Sequence, residues 1–119
     1  MPHACAATSR RLSPLTHPEG VYRFCARGTG VEALHREARG HGDLRTAMKG
    51  FIESFRFEEW RELSLVIEGD RAALYWQAKV TSPATGKSEV FEVADFIRIR
   101  DGKIAELIQF TDTALLGRL

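Results

Sequence analysis

The sequence is short of the features that mark secreted, membrane and nucleotide-binding proteins. Only two of its 119 residues are cysteines, Cys5 and Cys25, and neither has a His or Cys neighbour at metal-ligand spacing. Two reduced thiols in a cytoplasmic protein are the expectation, because small secreted domains stabilised by disulfides are far richer in cysteine. No run approaches the roughly 18 apolar residues of a membrane span. The opening MPHACAATSRRLSPL lacks the continuous apolar stretch of a secretory signal. Charge lacks a dominant sign: 17 Lys and Arg face 16 Asp and Glu, for a net +1. Arg10-Arg11 is the one adjacent basic pair, far from the basic stripe that a phosphate backbone requires. No P-loop and no G-x-S-x-G is present, and Gly28-Thr-Gly30 lacks the third glycine and helix start of a dinucleotide cradle. The expectation is a soluble chain that needs no cofactor or metal and binds neither nucleic acid nor membrane.

What is present suits one small domain. A chain of 119 residues with 44% apolar side chains buries roughly two-thirds of its unfolded surface, enough for a core without staples. Pro14 and Pro18 exclude a long helix near the start, so residues 1–16 read as a poorly ordered or short helical arm before a single domain over 17–119. Val21–Arg27 is β-rich and bounded by glycines, which predicts a strand. Residues 28–42 are glycine-rich and read as a loop, with room for a helical turn at Val31–Glu37. Leu44, Ala47, Met48, Phe51, Ile52 and Phe55 recur at the spacing of an amphipathic helix. Asp43 stands at its N-cap or first turn, and Gly50 within it suggests close packing.

The remainder reads as strands: Trp60–Glu68, Arg71–Thr81, Glu89–Arg100 and Lys103–Thr111. Gly69-Asp70, the SPATGKS loop and Asp101-Gly102 join them, the last being the strongest hairpin signal in the chain. Asp112 is placed to cap a final turn through Leu116. One helix followed by three consecutive hairpins is an α+β meander.

Period-two alternation then assigns faces. Leu74, Trp76, Ala78 and Val80 share one face of their strand; Phe91, Val93, Asp95, Ile97 and Ile99 share one face of the next. On the last strand Ala105, Leu107, Gln109 and Thr111 form one row and Ile104, Glu106, Ile108 and Phe110 the other, and pattern does not say which is inside. Asp95 is thus the one ionisable residue in an apolar row. A bare buried carboxylate costs several kcal/mol or more, so it must be paired, hydrogen-bonded or protonated. Burial raises a carboxyl pKa, which suits an acid or a hydrogen-bond donor. The structural alternative is an Asp bonded to a backbone amide or to Arg23.

The segment VADFIRIRDGKIAELIQFTD resembles the SnoaL-like, or NTF2-like, superfamily in its apolar–Asp–aromatic strand, DGK turn and closing strand ending in Asp. HPEGVYRF is similar to that family's first strand, and ARGHGDLRTAMKGF to its Gly-led helix. The resemblance covers roughly residues 17–116. It implies a curved, mostly antiparallel sheet forming a cone with helices over its mouth, and pairing of two copies through the sheet. Family members usually open with a longer helical segment, whereas about twenty residues precede Val21 here. Asp95 matches the Asp that ketosteroid isomerases keep neutral in an apolar site. The general-base position of those enzymes holds Phe24. The acidic and basic positions of the epoxide hydrolases hold Trp76, Ala78 and Gln109; their water-positioning Tyr matches Tyr22 and its Asn partner Phe24. The resemblance also puts His35 and His41 near the cone's mouth, whereas His3 and His17 read as exposed. Cys25 alternates with Phe24, which makes it a buried or dimer-facing thiol.

Three functions follow as expectations. The first is binding of a small apolar or amphipathic molecule in a site lined by Tyr22, Phe24, Trp76, Gln109 and His41, with Asp95 among them. The second is a cofactor-independent isomerase or cyclase with Asp95 as acid/base. The third is a dimerising interaction module whose cone is only core.

Overall fold

The computed structural model describes residues 15–25 and 37–119, without the side chains of residues 48, 51 and 52. Its strands are β1 (Thr16–Phe24), β2 (Glu37–Arg39), β3 (Arg56–Glu68), β4 (Arg71–Thr81), β5 (Ser88–Arg100) and β6 (Lys103–Thr111). Helix α1 (Gly40–Ser54) lies between β2 and β3, and the short α2 (Thr113–Leu116) follows β6. The strands form one curved sheet in the order β2-β1-β6-β5-β4-β3, open at β2 and β3. This is the mostly antiparallel α+β architecture expected. One pair departs from the meander: β1 runs parallel to β6. No hairpin produces that pairing, so local pattern could not reveal it.

The three hairpins sit where their turn residues put them. Asp101 and Gly102 both take positive φ, 55° and 71°, as the tight turn between β5 and β6 requires. Other boundaries move. Strand β1 begins at Thr16 rather than Val21, and its register against β6 shifts between Thr16 and Val21. Gly20 serves that shift, because a Cβ there would lie 2.9 Å from the His17 carbonyl oxygen and 3.2 Å from that of Ile104. Strand β3 begins at Arg56 rather than Trp60, with irregular register between Glu58 and Arg61 and between Glu62 and Ser64; each interruption hides the strand from a period-two reading. Glu37, expected in a helical turn, opens β2; residues 31–36, the arm 1–14, Cys5, His3 and His35 lie outside the described residues.

Helix α1 begins at Gly40, and Asp43 is a first-turn acid whose carboxylate accepts from the Arg39 amide at 3.2 Å. Gly50 does not serve close packing, since a Cβ there would meet nothing within 4 Å. Asp112 caps α2 as expected, its side chain accepting from Leu115 N at 3.0 Å.

The core lies on one face of the sheet. Tyr22, Phe24, Trp76, Ala78, Val80, Phe91 and Val93 are buried there, together with Ala38 of β2 and Leu116 of α2. Leu44 and Ala47 of α1, with Phe55 and Leu119, pack against them. The described members of the predicted stripe, Leu44, Ala47 and Phe55, therefore face the inner side of the sheet, as their spacing predicts. On β6 the Ala105–Gln109 row faces inward, opposite Ile97 and Asp95.

Candidate functional site

The inner face carries a polar chain across its centre. Phe24, Gln109, Asp95 and Leu74 stand side by side on β1, β6, β5 and β4, each paired with the next. Tyr22 and Trp76 flank that row, each two residues along its own strand and so on the same face. Both reach in diagonally. The Trp76 indole donates to Asp95 Oδ2 at 2.7 Å, and the Gln109 amide donates to Asp95 Oδ1 at 2.9 Å. The Tyr22 hydroxyl in turn donates to Gln109 Oε1 at 2.8 Å. An ionised carboxylate only accepts, so Asp95 dictates the polarity of the whole chain: Gln109 must turn its amide nitrogen inward and its oxygen toward Tyr22.

Asp95 is only 6% exposed, and its partners are not those expected. Neither Arg23, which is exposed, nor a backbone amide neutralises it; two neutral N–H donors satisfy one oxygen each. Burial lifts its carboxyl above the ordinary 3.8, and the hydrogen bonds from Trp76 and Gln109 oppose the rise without cancelling it. Tyr22 is pushed well above the ordinary phenol value, first by burial and then by the charge of Asp95 and by Cys25. It therefore stays a neutral donor throughout the physiological range. The oxygen of Tyr22 keeps free lone pairs, and Gln109 keeps its second N–H. This arrangement can orient one hydroxyl or carbonyl at the edge of an otherwise apolar wall, or pass a proton to or from Asp95.

Of the residues expected to line the site, Tyr22, Trp76, Asp95 and Gln109 form one hydrogen-bonded unit, and Phe24 lies in the same row. His41 takes no part in it. Its ring nitrogen Nε2 bonds to the Thr16 carbonyl at 2.8 Å, so it donates there and ties α1 to β1. His17 is buried at 8% exposure rather than exposed as expected. Its Nδ1 accepts from the Glu19 amide at 3.0 Å, which leaves Nε2 to donate to Asp101 at 3.2 Å. Cys25 is half-buried and carries no disulfide. No cluster of three metal-binding side chains occurs among the described residues.

A separate depression of about 580 Å³ is lined by His17, Glu19, Val21, Arg39, Arg98 and Arg100 among others. Its guanidinium groups are already matched: Arg39 by Glu37 at 2.9 Å, Arg98 by Glu106 at 3.9 Å, Arg100 by Glu19 at 3.4 Å. The depression therefore offers no excess positive charge for an anion.

With this geometry in place, known proteins give the family. A model of the SnoaL-like domain matches residues 6–107. The chain belongs to the SnoaL-like domain family. Solved structures agree on the fold. An NTF2-like protein from Burkholderia xenovorans LB400 superposes with a TM-score of 0.81 at 17% identity, covering 98% of this chain and 86% of that one. An NTF2-like protein from Burkholderia pseudomallei K96243 gives 0.77 at 20% identity, covering 98% and 90%. TerC, co-crystallised with polyporic acid, gives 0.79 at 18% identity, covering 98% and 91%. No curated protein sequence matches this SnoaL-like domain. No helix among the described residues is long and apolar enough to cross a membrane.

Proposed function

We propose that this SnoaL-like domain binds a small, largely apolar molecule on the inner face of its sheet and orients one hydroxyl or carbonyl of it through Tyr22, Gln109 and Asp95. The observation that carries this reading is a chain of three hydrogen bonds between four strands, set in an apolar face. Such a convergence of a few placed polar groups within apolar walls is the usual composition of a ligand site. The co-crystallisation of TerC with polyporic acid is compatible with it.

The test is a thermal-shift screen of wild type and Asp95→Asn against steroids, phenols, terpenes and lactones. A ligand at a hundred times its dissociation constant stabilises the fold by about 2.7 kcal/mol. Binding that survives Asp95→Asn within about tenfold supports the binding reading, and a screen without any shift overturns it.

Burial of Asp95 favours a second reading, in which the same carboxylate takes or returns a proton as the base of a cofactor-independent isomerase or cyclase. The neutral-donor role suits it less, because both oxygens already accept N–H bonds. For this reading, Asp95→Asn must abolish turnover while binding persists. On the outer face, Val66, Tyr75, Val90, Phe96 and Phe110 are exposed; a second copy of the chain is the occupant we infer there, as the family's habit of pairing through the sheet suggests.

A further inference from the structure

Strand β3 contains an irregularity whose position is informative. Glu58 pairs with Lys79 and Arg61 with Gln77, so Glu59 and Trp60 together stand opposite the single residue Ala78. Glu59 takes φ 55°, a left-handed conformation that costs a residue with a Cβ and persists where the surroundings impose it. The extra residue changes the face of the next side chain. Lys79 and Gln77 belong to the outer face, Ala78 and Trp76 to the inner one. A regular strand continuing from Glu58 would set Glu59 against Ala78 and turn Trp60 outward over Gln77. The bulge instead delivers Trp60 to the inner side, where its ring centroid lies 6.2 Å from that of Trp76 at an interplanar angle of 32°. Bulges that re-aim a side chain in this way are frequent beside functional sites.

Trp60 is not absorbed into the core by this move. It remains 56% exposed while Trp76 is 9% exposed, and Trp76 is the indole bonded to Asp95. An indole thus sits at the open β3 edge of the inner face, resting on the tryptophan that holds the carboxylate, with much of its surface uncovered.

We propose that Trp60 is a specificity-determining residue of the inner-face site, supplying an aromatic surface that selects ligands with a planar aromatic ring over saturated ones of the same size. This rests on the binding reading above and adds the ligand class to it. Ring stacking rewards a flat π-face beyond the area it buries, whereas a saturated ring gains burial alone.

The test compares 2-naphthol with decahydro-2-naphthol, which share a carbon skeleton and a hydroxyl, by calorimetric titration. Wild type should bind 2-naphthol about tenfold more tightly. Trp60→Leu keeps apolar area but no ring; it should lower 2-naphthol affinity about tenfold and leave the decahydro compound within about twofold. Trp60→Phe should retain most of the preference. Equal affinities in wild type, or a preference that survives Trp60→Leu, would overturn the role of Trp60 and leave the site standing. Absence of saturable binding by both compounds would remove the site and this inference together.

Discussion

Strands β4 to β6 present similar apolar material on two faces, and the two faces end differently. Inside, Phe91 and Ala78 are almost wholly buried, and the one carboxylate among them has both oxygens engaged. Outside, Phe96 is 51% and Phe110 44% exposed, and the two rings stack edge to face at 5.9 Å amid Glu92 and Arg98. The alternation of side chains is the same on both. What differs is the cover: α1 and α2 close over the inner face, and nothing in the chain's described residues closes over the aromatic pair outside. Hydrophobicity alone thus says which residues share a face, and the covering elements decide which face becomes core.

The sharpest way to break this comparison is to remove one phenylalanine from each face. Phe91→Ala empties a fully packed site and should cost about 3–5 kcal/mol in urea denaturation. Phe96→Glu should leave the dilute chain within about 1 kcal/mol of wild type, since the ring it replaces is half exposed. If a second copy covers the outer face, the same change should turn a dimer into a monomer in sedimentation equilibrium. A wild type that is monomeric at all concentrations would remove that partner. A large loss from Phe96→Glu in the dilute monomer would show that the two faces are less different than their exposure implies.

A smaller effect separates shape from polarity at the centre of the inner face. Asp95→Leu leaves the Trp76 and Gln109 donors without an acceptor, and each orphaned buried donor costs about 1–3 kcal/mol. Asp95→Asn accepts from Trp76 through its oxygen, and Gln109 can rotate its amide to accept from the new NH₂ and donate to the Tyr22 oxygen, which leaves the Tyr22 O–H without its acceptor. We expect losses of about 2–4 kcal/mol for Leu and about 1–2 kcal/mol for Asn, read from denaturant midpoints. Equal losses would mean that the carboxylate contributes only volume.

Parts of this were legible in the sequence, for stated reasons. β4 and β6 are read to the residue because each alternates without interruption between well-marked turns. The rows that hold Trp76 and Asp95 follow from the same alternation, whereas Gln109 joined the candidate site through the family resemblance, because alternation left open which row of β6 is inside. The bonds within the site were not legible, because a sequence shows that Asp95 needs a partner without saying which. Arg23 was a reasonable candidate by charge, yet it points away on its strand. Trp60 escaped notice because a single inserted residue reverses faces, and Glu59 carries no turn signal. The β1–β6 pairing and the burial of His17 escaped for a related cause: both arise from contacts between the two ends of the domain.

The smallest expected effect is also the most diagnostic of the inner carboxylate. Below about pH 4, Asp95 is protonated in both the folded and the unfolded chain and contributes no pH dependence. Above that, the unfolded chain releases its proton while burial holds the proton on the folded one. The folded state then binds more protons, so rising pH removes stability until Asp95 ionises in the fold, after which the difference is constant. Asp95→Asn lacks this contribution while keeping the other carboxylates, including the helix-capping Asp112. The stability of wild type minus that of Asp95→Asn should therefore fall as pH rises above about 4 and then level off, in denaturation series at stepped pH. If the hydrogen bonds from Trp76 and Gln109 outweighed desolvation, the slope would reverse and wild type would instead lose ground below pH 4. A reversed slope would make Asp95 a structural acceptor, ionised at all working pH, and would leave the proton-transfer reading without its motive.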